Sequence, residues 1–292
     1  MLLFEILDLI NDFSRIFKYM EYNIKLKNGL LLKGMISSPG EQMRALVILV
    51  HGLGEHINRY KHVSEFLNVH DIGFTGLDLP GHGKSGGSRG HIKNFSLTDE
   101  MIDTIIAETG KTFPGIPVFI YGHSLGGLIV LDYLLRKNPS VRGAIVTSPW
   151  LKLSFEPSGL KVFLASVFGV ILPGFIQPSG LVTGDLSHDQ AVVDAYISDP
   201  LVHDKISAGL FSSAISTSKS TLSNAGKLDT SLLLMHGSDD RICSPEGSRE
   251  FISKAKNVEF KIWEGGFHEL HNETFKSEVL DHILSWINKH LG

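Results

Sequence analysis

Residues Phe119–Asn138 read FIYGHSLGGLIVLDYLLRKN: an apolar run, then Gly122 and Gly126 bracketing Ser124, then apolar residues at helical spacing. This pattern predicts a buried strand that turns directly into a helix. A strand-to-helix turn that sharp strains and crowds the backbone, so the residue at its apex needs neighbours without bulk. Gly122 and Gly126 supply them, and Ser124 is expected to stand exposed at the helix N-terminus. The plainer reading is that Gly and Ser merely end a strand, so the surrounding chain has to decide.

Working outward, the strand signature recurs. RALVILVHG (Arg44–Gly52), IGFTGLDLPGHG (Ile72–Gly83), PVFIYGHS (Pro117–Ser124), VRGAIVTSP (Val141–Pro149), SLLLMHGSDD (Ser231–Asp240) and VEFKIWEGG (Val258–Gly266) are continuous apolar runs ending in loops, mostly separated by helix-like stretches. Strands buried on both faces by helices read this way, which predicts an α/β protein with a mostly parallel sheet flanked by helices. Ahead of them, alternation from Tyr22, the Asn28-Gly29 turn signal and alternation from Leu30 to Ile36 predict an opening β-hairpin. Residues 151–226 interrupt the alternation. The stretch GLKVFLASVFGVILPGF (Gly159–Phe175) is apolar on nearly all sides, and Gly/Pro/Ser-rich loops and the helix-like DQAVVDAYISDP (Asp189–Pro200) follow. This block is read as an inserted helical cap, leaving 21–150 and 227–292 as the core. The apolar cap segment is either plain core or a surface that touches lipid.

At the N-terminus, Leu2, Leu3, Ile6, Leu9, Ile10, Phe13 and Phe17 recur at helical spacing, so residues 1–20 are expected to form an amphipathic helix. Glu5 and Asp8 interrupt its apolar run and no basic region precedes it, unlike a secretory signal. Two uses are open to it: packing on the domain, or docking on a membrane surface or partner.

A chain of 292 residues can bury one large core. Its 42% hydrophobic and 20% charged residues are those of a globular protein, and a net charge of −4 excludes a general nucleic-acid binder, which needs a basic face. Cys243 is the single cysteine, so no intrachain disulfide forms and a reducing compartment is permitted. The expected location is the cytoplasm, with association at a membrane surface. Fourteen histidines raise the question of a metal, but His56 and His62 lack the spacing a zinc site needs and His268 with His271 is better explained by the loop expected to carry a catalytic base, so neither a metal nor another cofactor is expected. His82 in PGHGKSGG reads as a turn histidine binding backbone groups. Cys243, close to Asp240, is either a small buried apolar group or part of a pocket wall.

In an open parallel sheet a serine nucleophile, its base, an orienting acid and an oxyanion hole should all sit in loops after strand C-termini. Those loops hold the required residue types: Asp239 and Asp240 after SLLLMHGS, His268 after VEFKIWEGGF, and HGLGEH after RALVILV. The chain order serine, aspartate, histidine is the one this architecture imposes. Ser124 would attack an ester carbonyl, His268 would carry the proton, and Asp240 would fix the imidazole tautomer, with Asp239 the alternative acid. The amides of Leu53 and Leu125 would hold the oxyanion.

HGLGEHINRY, LPGHGKSGGSRG, FPGIPVFIYGHSLGG, ISDPL, HGSDDRIC and GGFHELHNE resemble the signatures of the monoglyceride lipase branch of the α/β hydrolases, over roughly Tyr22 to the C-terminus. The resemblance implies the α/β-hydrolase fold with a cap, a nucleophile at Ser124, an acid at Asp240 and a base at His268. It further implies oxyanion donors at Leu53 and Leu125, and a polar pocket for a glycerol head formed by Glu55, Arg59, Tyr196 and His271. The substrate it implies is a monoacylglycerol or a similar single-chain lipid ester, with peripheral membrane contact through the cap or the N-terminal helix. The residues before Tyr22 have no counterpart in the family pattern. Glu55 and Arg59 also read as a helix-start ion pair. Alternatives are a lysophospholipase, a general carboxylesterase, or a non-catalytic ligand-binding protein on the same fold, which predicts a broken triad. Epoxide hydrolase or dehalogenase chemistry would need a carboxylate at position 124.

Overall fold

The computed structural model describes residues 18–155, 168, 169 and 171–291. Its strands, in chain order, are β1 (Lys18–Lys25), β2 (Leu31–Ser38), β3 (Ala45–Val50), β4 (Ile72–Leu77), β5 (Val118–His123), β6 (Gly143–Thr147), β7 (Ile176–Pro178), β8 (Lys205–Ser207), β9 (Leu232–Gly237) and β10 (Val258–Trp263). Eight of them form one sheet in the order β1-β2-β4-β3-β5-β6-β9-β10. The pairs β1-β2 and β2-β4 are antiparallel; the other neighbours are parallel. All six apolar runs named above contain strands of this sheet. β3, β4, β6 and β9 are buried at every residue because helices cover both faces, which is why their sequences show no polar alternation.

The helices are α1 (Lys61–Asn68), α2 (Ser96–Thr112), α3 (Leu125–Lys137), α4 (Gln190–Ser198), α5 (Ala208–Asn224), α6 (Pro245–Ile252) and α7 (Lys276–Leu291). On one face of the sheet α2, α3 and α5 join a core built around Ile120, Leu128 and Val146. On the other, α1 and α7 pack over Phe74, Phe119 and Tyr121, with Trp286 edge-on to Phe119.

Three expectations meet the structure differently. The apolar cap segment lies mostly outside the described residues, and so does the N-terminal helix, but Lys18–Met20 at its expected end belong to β1, where they pair with Ser38, Ser37 and Ile36. The pairing partner, invisible to helical periodicity, decides those residues. Residues 151–226, expected to form a helical cap, contain the small ribbon of β7 and β8, strands too short to read from sequence. Helix α5, also assigned to that block, buries Ala208, Leu210, Ala214 and Leu222 in the core against α3.

Candidate active site

Ser124 sits between β5 and α3 at φ 53°, ψ −117°, a conformation that side-chain-bearing residues rarely adopt. Main-chain bonds hold it there. Its amide donates to the Thr147 carbonyl at 3.1 Å, and its carbonyl accepts from Leu128 and Trp150, each at 3.0 Å. The two flanking glycines have steric reasons. A Cβ on Gly126 would lie 2.0 Å from the Val50 carbonyl oxygen, and one on Gly122 2.7 Å from that of Gly126. The turn is thus wedged between α3 and the end of β3.

The same register brings the loop after β3 to the serine. Val50 pairs with Gly122, and a Cβ on Gly52 would meet the Ser124 Cβ at 3.2 Å. Leu53 follows in that loop and Leu125 is the first residue of α3, where the amide has no carbonyl one turn back and the positive end of the helix dipole emerges. The loop is itself pinned, because Glu55 Oε1 accepts from the Gly52 amide (2.6 Å) and the Tyr60 hydroxyl (2.9 Å).

His268 lies in the loop after β10, buried, with Nδ1 2.8 Å from Asp240 Oδ2. A carboxylate only accepts, so Nδ1 carries the hydrogen and Nε2 presents a lone pair. Asp240 Oδ1 accepts from the amides of Ile242 (2.8 Å) and Cys243 (2.9 Å). Its Oδ2 also takes a bond from His236 Nε2 at 3.1 Å; that nitrogen shares its hydrogen with the Cys243 carbonyl, so the Nδ1 of His236 accepts from Ser248. Burial alone would raise the Asp240 pKa, but His268 and His236 hold it well below the usual carboxylate range. Burial pulls His268 down, and Asp240 beside it outweighs that, leaving the imidazole pKa above its ordinary 6.5. Asp239 points elsewhere: it is exposed and accepts from Ser238 Oγ.

Ser124, His268, Leu53, Glu55 and Tyr196 line one cavity, whose remaining wall is mainly apolar and includes Trp150, Leu186, Ile206 and Phe211. Cys243 is both buried and part of that wall, so the two readings of it are not exclusive. Of the four residues expected around a polar head, Glu55 and Tyr196 reach the cavity. Arg59 stands behind them, 4.7 Å over the Tyr196 ring and 2.9 Å from Glu55 Oε2. His271 is fully buried, stacked on Tyr60 at 4.4 Å and edge-on to His123 at 4.9 Å, and is not part of the cavity wall. His82 hydrogen-bonds the Pro80 carbonyl, a turn role. Glu269 and His236 escaped the sequence reading. Glu269 lines the cavity and forms two bonds to Arg59, a partner 210 residues away, while His236 was hidden in a strand whose other residues are apolar. Among the described residues, no cluster of His, Cys, Asp and Glu could hold a metal ion.

The chain matches the family described as serine aminopeptidase, S33, over residues 41–275. It is 34% identical to the monoacylglycerol lipase of Mycolicibacterium smegmatis over 87% of this chain and 91% of that one. It is 38% identical to an uncharacterized abhydrolase domain-containing protein of Dictyostelium discoideum over 85% of its own length, and spans 26% of that longer relative. Among solved structures, the Paleococcus ferrophilus monoacylglycerol lipase superposes with a TM-score of 0.79 at 33% identity, covering 94% of this chain and 99% of that one. With a mainly parallel eight-stranded sheet, helices on both faces and these relatives along most of its length, the chain belongs to the serine aminopeptidase S33 family of α/β hydrolases, in its monoglyceride lipase branch.

Proposed function

We propose that the protein is a serine hydrolase that cleaves monoacylglycerol to glycerol and a free fatty acid. The observation that carries this is the convergence of Ser124 and His268 on one largely apolar cavity, with the His268 Nδ1–H fixed by Asp240 at 2.8 Å. In this reading Ser124 Oγ attacks the ester carbonyl carbon while its proton passes to His268 Nε2. The amides of Leu53 and Leu125 hold the oxyanion. Collapse of the tetrahedral adduct expels the glycerol alkoxide, which takes the proton from Nε2 and leaves the acyl group on Ser124. Water, deprotonated by the same nitrogen, then releases the fatty acid and restores Ser124. The apolar wall suits an acyl chain, and Glu55 and Tyr196 offer polar contacts to the glycerol head. The names of the relatives support the same substrate.

The test is fatty-acid release from monoacylglycerol, diacylglycerol, triacylglycerol and lysophosphatidylcholine of matched chain. Monoacylglycerol is expected to be turned over fastest; preference for lysophosphatidylcholine would replace the head-group assignment. The pH dependence has a defined sign. Neutral His268 is the base, and Asp240 raises its pKa, so kcat/KM should fall with decreasing pH through an inflection above 6.5. An inflection below that value would contradict the electrostatics of the pair.

In the same reading the cap meets the lipid phase, which is supported by Phe155, Ile171, Leu172, Phe175 and Val182, all half or more exposed. Among the described residues no helix is long and apolar enough to cross a membrane.

A further inference from the structure

Glu269 follows the base in sequence and is only 2% exposed, yet its carboxylate is fully engaged. Arg59 donates from Nη1 to Oε1 at 2.6 Å and from Nη2 to Oε2 at 2.7 Å, the fork geometry that fixes both partners in plane. Asn272 Nδ2 adds a third bond at 2.7 Å. The Glu269 amide donates to the Leu186 carbonyl of the cap, and Arg59 lies over Tyr196 of α4. On its other side Arg59 bonds Glu55, which holds the Gly52 amide next to Leu53. One guanidinium therefore ties the loop bearing His268 to the loop bearing Leu53.

We propose that the Arg59–Glu269 pair is a positioning clamp for His268, fixing its loop and keeping the charge beside the imidazole balanced. The inference rests on the role given to His268 above, and it departs from the expectation that Arg59 contacts the substrate head. The groups facing His268 come from several elements. They are Asp240 and Cys243 after β9, His123 at the end of β5, Glu55 and Arg59 after β3, Glu269 and His271 on its own loop, and the Asp185–Arg241 pair at the cavity wall. His123 and His271 are held neutral by burial, so near pH 7 they add no charge. Arg59 in turn holds the Glu269 pKa down to about 2 against burial, so the carboxylate stays ionised beside the base. Removing Glu269 would leave Arg59 with Glu55 as its remaining carboxylate partner, and removing Arg59 would leave the Glu269 carboxylate without its ion partner beside the imidazole.

The two removals have opposite signs. Without the Glu269 carboxylate, imidazolium is less stabilised and the His268 pKa falls. Without the Arg59 guanidinium, imidazolium is more stabilised and the pKa rises. The experiment is the pH profile of second-order inactivation by a fluorophosphonate, which needs only nucleophile and base and so stays readable if the monoacylglycerol assignment fails. Glu269→Gln should move the acid limb to lower pH by about one unit, and Arg59→Gln to higher pH by about one unit. Both should slow inactivation by about tenfold to a hundredfold through loss of base position. Arg59→Lys keeps the charge without the fork, so its limb should stay in place while its rate falls. Shifts in the same direction, or no shift, would overturn the proposal. Should Arg59→Gln fail to fold, Glu269→Gln carries the test alone, and a limb that stays or moves upward overturns it. A Glu269→Gln protein that does not fold overturns it too, because the pair would then serve the fold and not the base.

Discussion

Ser124→Ala is expected to lower kcat/KM for monoacylglycerol by about three to six orders of magnitude with a nearly unchanged melting curve. The loss follows from removing the hydroxyl proposed to form the acyl bond. The unchanged melt follows from how the turn is held: the bonds to Thr147, Leu128 and Trp150 are all main-chain, and alanine keeps them together with the Cβ. His268→Ala should cost nearly as much, and the double variant little more, because nucleophile and base act as a unit. Turnover within tenfold of the unsubstituted protein, free of contaminating esterase, would remove Ser124 from the mechanism.

Asp240→Asn should cost about four orders of magnitude in kcat, and the hydrogen-bond network gives the reason. The introduced asparagine would have to place its amide oxygen where the Ile242 and Cys243 amides donate. Its NH2 would then face His268 Nδ1 and His236 Nε2, two atoms that donate in the native site. His268 would adopt the tautomer with hydrogen on Nε2, which cannot accept the serine proton. Asp239→Asn alters an exposed side chain whose bond among the described residues is to Ser238 Oγ, and should change kcat by less than about threefold. A larger loss at position 239 than at 240 would transfer the orienting role to Asp239. Both comparisons are made on initial rates at a pH above the His268 inflection, where the base starts neutral.

The sheet was readable because burial on both faces leaves a local record: the inner parallel strands are apolar runs whose ends coincide with loops, while β10 at the sheet edge is only partly buried and carries Glu259 and Lys261. The candidate triad was readable for a related reason. Chain order and strand ends restrict where a nucleophile, acid and base can meet, so Ser124, Asp240 and His268 each occupied a slot that topology had already defined. What escaped depends on side-chain contacts that residue patterning does not record, whether distant in sequence or four residues apart. Nothing near Arg59 announces Glu269, and nothing in the run Leu232–Gly237 announces that His236 supports Asp240 from behind. Helix α5 falls in the block read as a cap because that block interrupts the strand-helix alternation, yet its Ala208, Leu210, Ala214 and Leu222 are buried in the core. His271 carries the residue type of a polar contact, but its fully buried position against Tyr60 and His123 is a matter of packing.

The strained turn at Ser124 also bears on how such a protein can diverge. Ser124 and Leu125 are consecutive, so one backbone bend sets both the proposed nucleophile and a proposed oxyanion donor, and Gly122 and Gly126 are jammed against Val50 and the start of α3. A replacement that moved the backbone there would displace both groups together. Descendants of this chain are therefore free to explore new esters through the cavity wall and the cap, whose side chains vary independently, while the bend is inherited whole.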